Sequence, residues 1–200
     1  MMETRKHIAA ERNRCGVKLK EVMRLLLPTA LASALLYIIL HEFGHVIVLW
    51  FAGADITDFS VLSAHVSYNG GVWTNTSDRW MHLNGALFPL VIATVYMLLY
   101  RRNVTNRFYH VFSVFFVLMP IASLLAWVLI PILYMLGLAP EGDDVTKFLY
   151  NFCFDHPAYL VSIGSVAVMM GGIYTAVKKG IIENFRMTIK QLKKDNRDNL

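Results

Sequence analysis

Four long apolar stretches, separated by polar or charged segments, run along this chain of 200 residues. A helix needs roughly 20 consecutive apolar residues to cross a bilayer, and each stretch is about that long or longer. Their approximate bounds are 25–51, 82–100, 108–136 and 158–177. The pattern therefore predicts an all-α integral membrane protein with about four transmembrane helices.

The segment that follows the first apolar stretch has a different pattern. Apolar and polar side chains alternate imperfectly between Phe59 and Tyr68, as they do in a half-buried strand. Asn69, Gly70 and Gly71 then supply a turn signal. We therefore expect a short β-hairpin-like segment after the first transmembrane helix.

The composition agrees with a membrane protein, since 56% of the residues are hydrophobic and the mean hydropathy is +0.47. The net charge is +5, and 17 of the 19 Lys and Arg residues lie in 1–24, 101–107 and 178–200. In a four-span chain these three segments share one side, which the positive-inside rule assigns to the cytoplasm. We therefore predict a cytoplasmic basic arm, a cytoplasmic basic tail and contact with the lipid bilayer, and no nucleic-acid partner.

The first apolar stretch contains one ionisable cluster, His41-Glu42-Phe43-Gly44-His45. Residues four apart share a helix face, so the two imidazoles can bind one metal ion from the same side. At about 1.5 Å per residue, His41 lies about 24 Å beyond Leu25, in the outer half of a hydrocarbon core about 30 Å thick. Ionisable groups at that depth are costly and indicate a functional site.

The spacing of the cluster is that of the zinc-hydrolase motif H-E-x-x-H. A catalytic zinc ion keeps one coordination position for water and lowers the pKa of that water. Glu42 is then placed to take the proton of the water as the general base. The sequence predicts one zinc ion bound by His41 and His45, with Glu42 as the catalytic residue.

The motif and Gly53, which follows it, resemble the signature of the site-2 protease family of intramembrane zinc metalloproteases. In that family the motif lies on a membrane helix and a β-like segment follows, which here would be 54–74. The stretch from Asn84 to Pro89 loosely resembles a glycine- and proline-bearing stretch of a later helix in the family. The chain would be a minimal form, because 25–177 leaves no room for an inserted peptide-binding domain.

The resemblance also implies an aspartate as the third zinc ligand, near the start of a later helix. This chain has Asp143 and Asp144 there, but lacks the usual Asp-Gly pair. Asp144 fits the family spacing to Phe148 and Leu149 better, and Asp143 would then cap a short amphipathic helix that ends before Pro157. Asp143 is the alternative ligand, and the simplest other reading makes both aspartates solvated cap residues.

Two further polar residues near the outer end of the second span are candidates. His82 could be a substitute ligand or could support the ligands from behind. Asn84 could hydrogen-bond the substrate or its oxyanion, or could equally make a helix–helix hydrogen bond. We rank both below the motif residues as candidates for contact with the substrate.

Taken together, the sequence predicts a membrane-embedded zinc protease that hydrolyses peptide bonds in or near the membrane-spanning segments of a membrane-protein substrate. The alternative is a non-catalytic membrane scaffold or binding protein that keeps the fold. A metal transporter should carry further ionisable residues within its spans, and the remaining spans contain almost none. Neither the substrate nor the oligomeric state follows from the sequence.

Overall fold

The computed structural model describes the backbone of residues 2–150 and 158–198, and the side chains of 22–150 and 158–195. Within that part of the chain, six helices and one two-stranded sheet follow one another. They are α1 (Met2–Phe51), β1 (Ala54–Ser60), β2 (His65–Gly70), α2 (Asn75–Leu99), α3 (Arg107–Met135), α4 (Asp144–Tyr150), α5 (Ala158–Lys178) and α6 (Ile181–Asp198). Pro157, predicted to follow the short helix, lies outside the described residues.

Four of these helices are long and apolar enough to cross a membrane: α2, α3, α5 and the Val22–Phe51 part of α1. The short antiparallel sheet follows α1 directly. The structure thus confirms the predicted helical architecture with four candidate spans and a hairpin after the first.

Two elements extend beyond the predicted apolar stretches. Helix α1 continues back through the basic arm to Met2, and α2 begins at Asn75 instead of near residue 82. The early start of α2 has a local cause, because Thr74 and Ser77 form a reciprocal capping box. Hydropathy alone misses these turns since they are polar. As a consequence, Asp78 and Met81 lie on a rigid helix instead of a loop.

The hairpin is anchored against the C-terminal end of α1 and the N-terminal end of α2. Its strands pair from Ala54 opposite Gly70 to Ser60 opposite His65, with an irregularity after Ile56. Ala54 is buried with Leu49 of α1 and Met81 of α2, and Tyr68 and Trp73 pack against this cluster. The position of the hairpin relative to the two helices is therefore fixed by a small apolar core.

Helices α1 and α2 approach each other closely at Gly44. A side chain at Gly44 would place its Cβ atom 2.2 Å from the backbone oxygen of Asn84, nearer than any real contact. The amide of Asn84 donates a hydrogen bond of 2.7 Å to the backbone oxygen of Gly44. The two helices thus meet backbone to backbone just beside the His-Glu-His motif.

Helix α4 packs over the same end of the bundle. Val145 and Leu149 are buried with Trp127 of α3 and Ala86 of α2. The opposite end of the bundle has its own core, which includes Ile181 of α6. The tail, predicted only as a basic segment, therefore begins with a helix that packs on α3 through an apolar face.

We predict that Gly44→Ala destabilises the protein by about 1–3 kcal/mol, because the added methyl group cannot fit between the two backbones. Gly171→Ala is the matched control, since Gly171 is also helical but has open space around its Cβ position. Alanine there should be neutral or stabilise by up to about 1 kcal/mol. Thermal unfolding in detergent measures both, and equal midpoints for the two variants would contradict the close contact.

Candidate metal centre

The His-Glu-His motif lies within α1 and faces a single cavity. Nε2 of His41 and Nε2 of His45 are 3.2 Å apart, one helical turn from each other. Glu42 lies between them in sequence, is only 3% exposed, and lines the same cavity. The helix thus brings two nitrogen atoms and a buried carboxylate to one small region.

The third group comes from the start of α4. Oδ2 of Asp144 lies 3.3 Å from Nε2 of His41 and 3.3 Å from Nε2 of His45. Asp143 has a different role, because its Oδ1 accepts a hydrogen bond of 2.8 Å from the backbone N–H of Val145. Of the two aspartates, Asp144 faces the imidazoles and Asp143 caps the helix.

The distances among these three atoms suit a tetrahedral zinc ion. Zinc binds imidazole nitrogen and carboxylate oxygen at about 2.0–2.2 Å, so two ligands of one ion lie about 3.3 Å apart. The observed separations are 3.2, 3.3 and 3.3 Å. Two imidazoles and one carboxylate also form a usual donor set for a catalytic zinc ion. The residues therefore fit the metal in number, chemical type and spacing.

The hydrogen bond on the other side of His45 favours a positive charge at this position. Nδ1 of His45 is 2.8 Å from the backbone oxygen of Met81, and a carbonyl can only accept. Nδ1 therefore carries the hydrogen, and in the neutral ring Nε2 presents a lone pair. That lone pair faces Oδ2 of Asp144, which is also an acceptor. Two acceptors in contact repel unless a proton or a metal ion lies between them.

The charge of Asp144 responds to the same surroundings. Burial alone would raise the pKa of its carboxyl group, but the surrounding imidazoles of His41, His45 and His82 outweigh burial and hold that pKa well below its usual range. Asp144 is therefore ionised at neutral pH, as a metal-binding carboxylate must be.

His82 lies behind Asp144. Its Nδ1 is 3.0 Å from Oδ1 of Asp144, whereas the other oxygen, Oδ2, lies near the two imidazoles. Of the two roles that the sequence left open for His82, the structure shows the contact with Asp144 that the supporting role requires. Asp78, one turn earlier on α2, comes within 3.8 Å of Nε2 of the same ring.

Asn84 lies in the contact between α1 and α2, with its amide bonded to Gly44. It lines a groove with Ile47 and Trp80 that is separate from the cavity at the motif. Of the two roles that the sequence left open for Asn84, the structure shows the helix–helix hydrogen bond. The next residue, Gly85, has a stricter role. A Cβ atom there would lie 2.6 Å from ring atoms of His45 and 2.9 Å from a ring atom of His41, so only glycine lets α2 approach the imidazoles.

The cavity in front of the motif measures about 540 Å³ and is bounded by α1, α2, α4 and the hairpin. The hairpin contributes His65, Val66 and Tyr68, and α4 contributes Lys147. Burial, together with the nearby negative charge of Asp78, raises the pKa of Tyr68, so its hydroxyl group stays protonated at neutral pH. The sequence did not mark Tyr68 or Asp78 as functional residues. The imperfect alternation of the hairpin indicated that its side chains lie on two faces, but not which face borders the cavity.

Comparison with models of known protein families, with curated proteins and with solved structures finds no match to this chain. The case for a function therefore depends on the geometry of the site.

Proposed function

We propose that this chain is a membrane-embedded zinc metallopeptidase that hydrolyses peptide bonds in or near membrane-spanning segments. The observation that carries the proposal is the convergence of His41, His45 and Asp144 within 3.2–3.3 Å beside the buried carboxylate of Glu42. A metal-binding triad with an adjacent carboxylate on an H-E-x-x-H helix is the arrangement of zinc hydrolases. Likeness to the site-2 protease family in motif and element order supports the same conclusion.

Membrane insertion is supported by an exposed apolar face of α1. Leu27, Leu31, Leu35 and Ile39 recur every fourth residue and are all exposed. An apolar stripe of that length is costly in water and is covered by acyl chains in a bilayer. The concentration of basic residues in 1–24, 101–107 and 178–200 favours cytoplasmic termini, with the site in the outer half of the membrane.

In this proposal His41, His45 and Asp144 hold the zinc ion. When bound, zinc supplies Lewis acidity, which makes water a nucleophile at neutral pH and polarises the carbonyl of the scissile bond. Glu42 takes a proton from the attacking water on its carboxylate and passes it to the nitrogen of the leaving amine. Glu42 is buried and lines the same cavity as the triad, which suits its carboxylate to this proton transfer.

The cavity walls suit an extended peptide. A transmembrane helix has its carbonyl groups in internal hydrogen bonds, so a substrate segment must unwind before hydrolysis. Among the described residues the sheet has two strands, which leaves each strand with an outer edge that an extended segment could pair with. The protonated hydroxyl of Tyr68 adds a hydrogen-bond donor within the same cavity.

The metal content of three purified forms tests the ligand assignment. We expect about one zinc ion per chain in the wild type and in Asp143→Ala, and loss of most of the zinc in Asp144→Ala, because only Asp144 faces the imidazoles. Inductively coupled plasma mass spectrometry measures this after mild extraction. A wild type without zinc would favour the alternative, a non-catalytic membrane scaffold, and equal zinc in both variants would contradict Asp144 as the ligand.

Replacement of Glu42 separates chemistry from metal binding. Glu42→Gln should keep its zinc, and its cleavage rate should fall about 10²–10⁴-fold, since the amide cannot accept the proton. Cleavage is measured with fluorogenic transmembrane peptides reconstituted in proteoliposomes. Glu183→Gln on the exposed face of α6 is the control and should cleave at the wild-type rate. If Glu42→Gln cleaves as fast as the wild type, the proposed mechanism is wrong.

A further inference from the structure

We propose that His82 is a positioning residue of the metal centre, which holds one oxygen of Asp144 so that the other oxygen faces the two imidazoles. The inference rests on the proposed zinc site and adds to it a residue that touches neither metal nor substrate.

The two oxygens of Asp144 have different surroundings. Oδ1 is 3.0 Å from Nδ1 of His82, whereas Oδ2 is 3.3 Å from Nε2 of both His41 and His45. An unrestrained carboxylate can rotate about its Cβ–Cγ bond and offer both oxygens to one metal ion. A donor fixed on Oδ1 prevents this rotation, so Asp144 presents a single oxygen.

His82 has the chemistry and the rigidity for this role. An ionised carboxylate only accepts hydrogen bonds, so Nδ1 of His82 must be the donor. The residue is 6% exposed and lies in the interior of α2. Its other ring nitrogen is 3.8 Å from Asp78, which is beyond hydrogen-bond distance. The contact with Asp144 is thus the closer of the two and orients the ring.

The support matters because Asp144 lies at the end of a short helix. Helix α4 has seven residues, and Asp144 is the first of them. Short helices have little stability of their own, and their ends fray. Helix α2 restrains two of the three proposed ligands from consecutive residues, His45 through the carbonyl of Met81 and Asp144 through His82. We infer that α2 is the template on which the site is aligned.

The test compares the zinc affinity of the wild type with that of variants at His82. Each chain is purified in detergent, and its affinity is measured by competition with a chromogenic chelator. His82→Leu removes the donor and should weaken zinc binding about 10–100-fold, as loss of a partner behind a metal ligand typically does. His82→Asn should bind zinc about tenfold or more tightly than His82→Leu when the loss in His82→Leu is near 100-fold, because its amide nitrogen can donate to the same oxygen. Catalytic activity is not needed for this measurement.

His110→Leu is the matched control. His110 is also a buried histidine, but it lies at the far end of the bundle, bonded to the Tyr100 hydroxyl group and the Val104 carbonyl. Its replacement should cost stability and leave the zinc affinity unchanged. Visible absorption of the cobalt(II)-loaded protein gives a second readout, since the spectrum depends on coordination number. His82→Leu should alter that spectrum, and His82→Asn and His110→Leu should not.

Two results would overturn the proposal. Zinc affinity of His82→Leu equal to that of the wild type would show that Asp144 needs no restraint. Equal losses in His82→Asn and His82→Leu would show that the imidazole itself is required, as it would be for a direct ligand. A wild type that binds no zinc would be a different failure, that of the proposed function on which this inference rests.

Discussion

The site depends on one packing constraint, the close approach of α1 and α2 at Gly44 and Gly85. Any side chain at Gly44 would collide with the backbone of α2, and any at Gly85 would collide with the imidazoles. Because the helices meet so closely, the carbonyl of Met81 reaches His45. On the same helix α2, the ring of His82 reaches Asp144 of α4. Two glycines without side chains therefore let α2 come close enough to restrain the imidazole of His45.

The second constraint is electrostatic. Glu42 and Asp144 place two carboxylates on one cavity, and the acceptor nitrogen of His45 faces the oxygen of Asp144. Carboxylates and acceptor nitrogens that face one another away from water are stable together only with a compensating positive charge. A proton can provide that charge for one pair of atoms, but a divalent cation satisfies both imidazoles and Asp144 at once. The proposed zinc ion is thus the simplest solution to the charge balance that the fold creates.

Local signals made much of the fold predictable from the sequence. Long apolar stretches, the i,i+4 histidines and the turn glycines are contained within short segments, so their consequences follow from local geometry. The polar first turns of α2 and the amphipathic α6 were missed, since hydropathy marks only the apolar part of a helix. The choice between Asp143 and Asp144 depends on how α4 is rotated against α2 and α3, and the position of His82 depends on the same contact. Tertiary packing sets both.

The central claim is that one zinc ion is held by two imidazoles and one carboxylate in the outer half of α1. X-ray absorption at the zinc edge of the purified wild-type protein tests it most directly, because multiple scattering from imidazole rings identifies histidine ligands. The account predicts two imidazoles and oxygen donors at about 2.0–2.2 Å, with four ligands in total. A spectrum with oxygen ligands only, or with no zinc above background, would contradict it.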